Sequence, residues 1–299
     1  MWHPDDLPGP FSAVGNTPLA PVMLRSPGGR RVRVHVKLDG LNPSGSVKDR
    51  AAAGMIRAKI VEGTLRPGHT LLDSSSGNMA SALAMYGRAL GLDVHVVCNR
   101  NITADKRRMV EYFGGTVIPN DFGPHTYDGY RKCVSLLSER YCFLDQLHNP
   151  QNPLAHQDLT GPEIMRDLPS AALIVGSLGS GGTVLGVARA VRLAGHPAVL
   201  AAVSSAPGGK LPGVGAFSEG EYRTPFINSA ESEGLIGFWP EVAVPSALDC
   251  QRTAVAAGLF CGPQTGAVLV AALQIADELD LSDDIVVISG DAGWKNWTP

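Results

Sequence analysis

Along residues 32–38 apolar and polar side chains alternate, with Val32, Val34, Val36 and Leu38 set against Arg33, His35 and Lys37, which predicts a β-strand. The period then lengthens: residues 49–62 carry Ala52, Met55, Ile56 and Ile60 near one face of a helix. A short strand at 70–73 leads into the small-residue loop Ser74-Ser75-Ser76-Gly77-Asn78 and a second helix at 79–90, stopped by Gly91. Apolar 94–98 reads as a strand, 104–113 as a helix ended by Gly114-Gly115, and 116–118 as a strand. The alternation returns in the second half, with a strand at 172–175, glycine-rich 176–182, a helix at 184–193, a strand at 198–204, helices at 245–257 and 266–279, and a strand at 285–289. Strands separated by helices in this way predict parallel sheets covered by helices on both faces.

Two such arrays within 299 residues make two packed lobes. Between them 142–162 is polar and holds Pro150, Pro153 and Pro162, which predicts a hinge or inter-lobe connection. The Gly-, Ser- and Pro-rich stretch 204–220 predicts a long functional loop. A composition of 44% hydrophobic, 18% charged and 6% aromatic residues belongs to a globular chain with an aliphatic core and excludes wholesale disorder. Lys plus Arg at 25 against Asp plus Glu at 28 gives a net charge of -3 with no block of one sign, so nucleic acid and anionic membrane are not expected partners. No apolar stretch approaches the ~20 residues of a membrane span. The start, Met1-Trp2-His3-Pro4-Asp5-Asp6, lacks the pattern of a secretory leader, so a cytoplasmic location is expected. The five cysteines, Cys98, Cys133, Cys142, Cys250 and Cys261, show no metal or disulfide spacing and read as free thiols; no metal site is expected.

Three polar, glycine-containing loops each precede a helix: Asn42 to Lys48, Ser74 to Asn78, and Gly176 to Thr183. In parallel α/β sheets such loops gather at the C-terminal strand ends, where ligands bind. The run Gly176-Ser177-Leu178-Gly179-Ser180-Gly181-Gly182-Thr183 clears large side chains from a helix start, leaving backbone amides and the positive end of the helix dipole open to an anion, with phosphate the natural occupant. It is neither a Walker A loop nor a Gly-x-Gly-x-x-Gly turn. Taken alone it also reads as a tight turn. Lys48 is the only lysine within these loops, at the mouth of a helix, where its charge has the wrong sign for the dipole. A lysine with a depressed pKa serves Schiff-base chemistry; taken alone, Lys48 also reads as a solvated side chain beside Asp49 and Arg50.

The stretch Asn42-Pro43-Ser44-Gly45-Ser46-Val47-Lys48-Asp49-Arg50 resembles the cofactor-lysine motif of the cysteine synthase/cystathionine β-synthase family, fold-type II enzymes of pyridoxal 5'-phosphate. Further signatures occur in the same order: Gly15-Asn16-Thr17-Pro18-Leu19, Ser75-Ser76-Gly77-Asn78, Gln146 with Asn152-Pro153, Thr160-Gly161-Pro162-Glu163-Ile164, Gly179 to Thr183, and Gly213-Val214-Gly215-Ala216. The resemblance spans nearly the whole chain. It implies a two-lobed α/β fold like that of the tryptophan synthase β subunit, parallel sheets flanked by helices, with a smaller mobile domain at 40–145 and a larger phosphate-binding domain at 1–39 and 146–299. It implies that Lys48 carries the cofactor as a Schiff base, that Gly179, Ser180, Gly181, Gly182 and Thr183 hold its phosphate, and that Asn78 reaches its ring oxygen. Ser75, Ser76, Gly77, Met79 and Gln146 fall where the substrate carboxylate binds. The family's Ser-Ser-Gly segment at the pyridine nitrogen appears as Gln264-Thr265-Gly266, leaving either Gln264 or Thr265 as the ring's neutral neighbour, and Met79 replaces a usual threonine.

The implied reaction is β-replacement: an O-activated L-serine, O-acetylserine or O-phosphoserine, loses its leaving group to give an aminoacrylate, and sulfide or another nucleophile adds, forming cysteine or a related β-substituted alanine. A neutral partner at the ring nitrogen suits this elimination better than transamination. A homodimer and a small amino-acid substrate are expected partners. The rival activities are a serine/threonine deaminase, whose lysine motif normally reads Ser-Phe-Lys where Ser-Val-Lys stands here, and a non-catalytic binding protein of the same fold. No regulatory extension is expected beyond Trp297-Thr298-Pro299.

Overall fold

A computed structural model describes His3 and residues 6–296; Met1, Trp2, Pro4 and Asp5 of the start read as lacking a leader pattern, and the terminal 297–299, lie outside the described residues. The strands, in chain order, are β1 Leu19–Arg25, β2 Arg31–Lys37, β3 Thr70–Ser74, β4 Asp93–Asn99, β5 Thr116–Asn120, β6 Tyr141–Phe143, β7 Leu173–Ser177, β8 Val199–Ser205, β9 Glu241–Val242 and β10 Ile285–Ile288. They form two sheets, of order β1-β2-β10-β7-β8-β9 and β5-β4-β3-β6. Among the strands of the described residues β1 alone runs antiparallel to its neighbour, and the other strand pairings are parallel.

Alternate side chains of one strand enter two different cores, as helices on both faces require. Ile285 and Val287 of β10 pack with the helices Val244–Ala256 and Pro263–Glu278, whereas Val286 and Ile288 pack with the helix Gly182–Leu193. In the smaller sheet Leu71 joins the helices Lys48–Val61 and Asn78–Ala89, while Leu72 faces Cys133 of the helix Thr126–Leu136 on the other side. Phe11, with half-buried Leu7 and Val14, reaches from outside 40–145 into that smaller core.

The segment 142–162 connects the smaller sheet to the larger and is largely helical: after β6 come a helix Gln151–Ala155, a π-helical turn His156–Thr160 and a helix Gly161–Asp167. Its prolines do not break the helical run. Pro150 is the N-cap of Gln151–Ala155 and Pro153 lies in its first turn, where amides have no helical acceptor in any case, while Pro162 stands where the π-helical turn passes into Gly161–Asp167. Loop 206–216, by contrast, is irregular as expected. Four of the five cysteines are buried and Cys250 is half-buried, all as free thiols.

Candidate active site

Asn99 and Asn120 end their strands, Ser75, Gly179, the loop Lys210 to Gly215 and Asp291 follow the C-terminal ends of theirs, and together they line one cleft of about 470 Å³ between the sheets. The three loops singled out by sequence meet there: Lys48, the run Ser74 to Met79, and Gly179 with Ser180 share its wall. A second hollow of about 20 Å³ lies between Lys48, Gly179, Gly181, Thr183, Gly213 and Gln264.

Lys48 opens the helix Lys48–Val61. Burial pushes its ammonium down to about 8, and among the described residues no carboxylate pairs with it. The next two residues are buried in the protein, not solvated. Asp49 accepts from Ser44 N and Oγ (both 2.7 Å), Ser46 N (3.2 Å) and Tyr86 Oη (2.9 Å), which fixes the loop ahead of the lysine. Arg50 donates through Nε to Asp39 (2.8 Å) and through Nη1 and Nη2 to Glu163 (both 2.8 Å). Glu163 also pairs with buried Lys37 at 2.8 Å and accepts from Asn16 N at 3.0 Å. Lys295 closes the loop from behind, donating to Ser44 O (2.8 Å) and Ser81 Oγ (2.7 Å).

The glycine run turns through Gly181, whose φ of +84° places it in the left-handed region before the helix Gly182–Leu193 begins. A Cβ on Gly181 would meet Ile227 Cγ1 at 2.6 Å, so the position serves packing as well as an open anion cradle. Gly182 is needed for Asn152, whose Nδ2 donates to Gln146 O (2.7 Å) and Ser180 Oγ (3.1 Å). Behind the cradle, buried His156 sits between Thr160 Oγ1 (2.9 Å) and Thr183 Oγ1 (3.2 Å), and burial holds it well below the usual histidine range, as a neutral ring orienting Thr183. The tilt of the π-helical turn puts it there; nothing in the sequence pattern marks it.

On the opposite wall Ser75 Oγ accepts from Gly77 N (3.1 Å), leaving its hydroxyl proton to donate, and Ser76 Oγ accepts from Asn99 N (2.8 Å) with its hydroxyl also against the Cys98 thiol. Asn78 Nδ2 donates to Asp291 at 3.2 Å and Gln146 Nε2 to Ser74 O at 2.6 Å. Gly77 faces open space: a Cβ there meets nothing within 4 Å. Met79 borders the cleft but is 1% exposed, its thioether packed in the smaller core. The neighbours Gln264 and Thr265 part company. Gln264 lines the cleft and donates to Ser177 Oγ; Thr265 is wholly buried and bonds Ser289 Oγ at 2.8 Å, so it does not reach the cavity. A helical step of about 100° separates consecutive side chains, and only one of the two can face the cleft.

An amine with lowered basicity and an amide-lined, glycine-cleared cradle thus open into one cavity. That pairing fits a group bearing an aldehyde and a phosphate. The sequence model of the family described as "Pyridoxal-phosphate dependent enzyme" matches residues 11–291. Cysteine synthase B of Salmonella typhimurium is 32% identical over 268 residues, covering 88% of this chain and 86% of that protein; cysteine synthase B of Escherichia coli is 31% identical, covering 92% and 89%. Among solved structures, O-ureido-L-serine synthase superposes with a TM-score of 0.87 at 24% identity over 97% of this chain and 93% of its own. An O-acetylserine dependent cystathionine beta-synthase from Helicobacter pylori gives 0.82 at 26%, covering 97% of each. The chain therefore belongs to the pyridoxal-phosphate dependent enzymes, within the cysteine synthase/cystathionine β-synthase family.

Proposed function

We propose that the protein catalyses β-replacement on an O-activated L-serine, adding sulfide or another nucleophile to give cysteine or a related β-substituted alanine. The observation that carries this reading is Lys48: an amine brought to about 8 by burial, opening into the cavity that also holds the cradle and the Ser75 to Asn78 loop. The cofactor supplies an aldehyde for Lys48 and an electron sink for the amino acid. Gly179 to Thr183 would hold its phosphate, Asn78, itself steadied by Asp291, its ring oxygen, and Gln264 its ring nitrogen. Lys48 Nζ would remove the α-proton of the bound amino acid and later return it. The Ser75 and Ser76 hydroxyls, the Gly77 amide and Gln146 would receive the carboxylate, with Met79 flanking them.

Residues 40–145 would form the mobile lobe, and 1–39 with 146–299 the fixed one, in keeping with their separate cores. Among the described residues no helix is long and apolar enough to cross a membrane, and we place the enzyme in the cytoplasm as a homodimer. Exposed Trp294 and Phe260, beside Gly45 and Gly293, offer an apolar surface for self-association. O-acetylserine is the preferred donor, because Lys210 and Arg223 are engaged by Glu221 and Glu231 and not free for a phosphoryl group. Lys106, which lines the cleft without an ion pair among the described residues, makes O-phosphoserine the second donor to assay. The test is product analysis of the holoenzyme with each donor, with and without sulfide. Conversion of donor to the β-substituted amino acid supports the reading; pyruvate from plain L-serine at a higher rate would replace it with the deaminase, and no turnover of any donor with a binding protein.

A further inference from the structure

At its outer end the cleft has a wall to which β-replacement on the donor gives no task. Tyr222 lines it. Its Oη lies 2.9 Å from His148 Nε2, and Nδ1 of the same ring lies 2.8 Å from Asp145 Oδ1. A carboxylate at Nδ1 keeps the ring proton there and leaves Nε2 to accept the phenolic hydrogen bond. Asp145 holds this place with a φ of +54°, a left-handed backbone that residues other than glycine seldom adopt. The rings are boxed: Tyr127 lies 4.5 Å from Tyr222 and Tyr130 4.8 Å from His148, centroid to centroid. Glu221, next to Tyr222, accepts from Thr126 Oγ1 (2.7 Å) and Ala216 N (2.8 Å), tying this segment to the helix Thr126–Leu136 across the cleft. Burial, with Tyr127, Asp145 and Tyr130 nearby, raises the Tyr222 pKa, so the phenol keeps its proton for His148.

We propose that Tyr222 is the acid–base group for the second substrate, held in position by His148 and Asp145, and that this substrate is a nucleophile that must lose a proton as it adds, such as a thiol. The inference rests on the β-replacement reading. As the nucleophile's sulfur forms its bond to the β-carbon, its S–H bond breaks and the proton passes to Tyr222 Oη. The phenolic proton moves to His148 Nε2, giving an imidazolium opposite the Asp145 carboxylate. The sulfur's electron pair makes the new bond to the substrate β-carbon, Lys48 Nζ would return a proton to the α-carbon, and His148 returns its extra proton to water. Hydrosulfide, already an anion, adds without this transfer and leaves the relay idle.

The experiment uses the holoenzyme and O-acetylserine with two probes that attack through the same atom, hydrosulfide above the first pKa of hydrogen sulfide and 2-mercaptoethanol. General acid–base catalysis contributes typically about 10² to 10⁴-fold. Tyr222→Phe, which keeps the ring stack, is expected to lower kcat/KM with 2-mercaptoethanol about 10²-fold and to abolish its solvent deuterium isotope effect. The hydrosulfide reaction should stay within about twofold, since no proton transfer is removed. His148→Gln should follow the same split, and cofactor absorbance with melting temperature reports folding. Equal losses with both probes, or an unchanged thiol reaction and isotope effect, would overturn the proposal while leaving β-replacement standing. A parent protein that turns over O-acetylserine with neither probe removes the β-replacement reading itself and this inference with it.

Discussion

Lys48 holds its charge within the cleft with no carboxylate partner among the described residues, and the cost of doing so is measurable. Its ammonium is lowered from 10.5 to about 8 by burial. At about 1.36 kcal/mol per pKa unit, the cofactor-free fold gives up about 3 kcal/mol at neutral pH to hold the charged form. The folded pKa lies below the unfolded one, so the unfolded chain binds the extra proton between them and stability rises with pH across that window. Lys48→Met, near in volume and without charge, is therefore expected to unfold at higher denaturant than the parent when both are stripped of cofactor. The advantage of about 3 kcal/mol should hold below pH 8 and vanish as pH climbs from about 8 to 10.5. Urea titrations of the two apoproteins at a series of pH values, analysed by linear extrapolation, measure the difference. A Lys48→Met protein no more stable than the parent at pH 7, or an advantage that does not change through the window, would refute a lysine held unpaired and desolvated.

Glu163→Gln should cost about 3 to 5 kcal/mol near pH 7, because it leaves Arg50 and Lys37 buried without their shared carboxylate. Burial alone would raise the Glu163 pKa, but Arg50 and Lys37 outweigh it and hold the group at about 2. The penalty should shrink as pH falls from the ordinary 4.5 toward 2, readable in the same titrations. Gly77→Ala is expected to leave melting temperature and cofactor content unchanged, since its Cβ meets nothing, while raising KM for the amino-acid donor by standing in the cleft; a normal KM would take Gly77 out of the substrate site. Met79→Thr should lose about 2 to 4 kcal/mol of stability from the smaller core yet gain kcat/KM with O-acetylserine and sulfide by restoring a hydroxyl; a loss in both quantities would make Met79 a packing residue only.

Much of the fold was legible because parallel strands buried on both faces write themselves as short β-branched runs, and the helices between them end at glycines such as Gly91 and Gly114, with φ of +70° and +80°. Elements outside that alternation escaped it. The strand β1 carries Pro21 and survives as an edge strand paired on one side only. The helix Thr126–Leu136 opens with polar and aromatic residues and buries only Gly129 and Cys133, too weak an apolar stripe to read. In the 142–162 segment, which joins the two sheets, the helices escaped for a reason of position: proline in a helix's first turn and proline in a loop look alike until the amides can be counted. At the site, loops that precede helices disclosed Lys48, Ser75 to Asn78 and Gly179 to Thr183. Partners fixed only by three-dimensional packing, His156 behind Thr183, Ser177 on Gln264 and the His148 to Tyr222 pair, carry no local signal. The choice between Gln264 and Thr265 likewise needed the helix's rotation about its axis.

The three charged residues Lys48-Asp49-Arg50 hold the physical logic of the site in consecutive positions. Each lies on a different side of the first helical turn, and each meets burial differently. Asp49 is answered by four hydrogen-bond donors from Ser44, Ser46 and Tyr86, and Arg50 by two carboxylates, Asp39 and Glu163. Lys48 is answered by neither. Because the flanking pair is satisfied by the fold, the loop cannot shift to bring Lys48 out of the cleft to a counter-charge without breaking a network of buried ions, whose disruption is costly. The lysine's remaining routes to relief are to release its proton or to bond covalently to a carbon, and both make it a nucleophile. Rigidity in Asp49 and Arg50 is thus what holds Lys48 in the cleft without a counter-charge, and it is why the acidic and basic neighbours, which in isolation read as surface charge, belong to the framework of the candidate site.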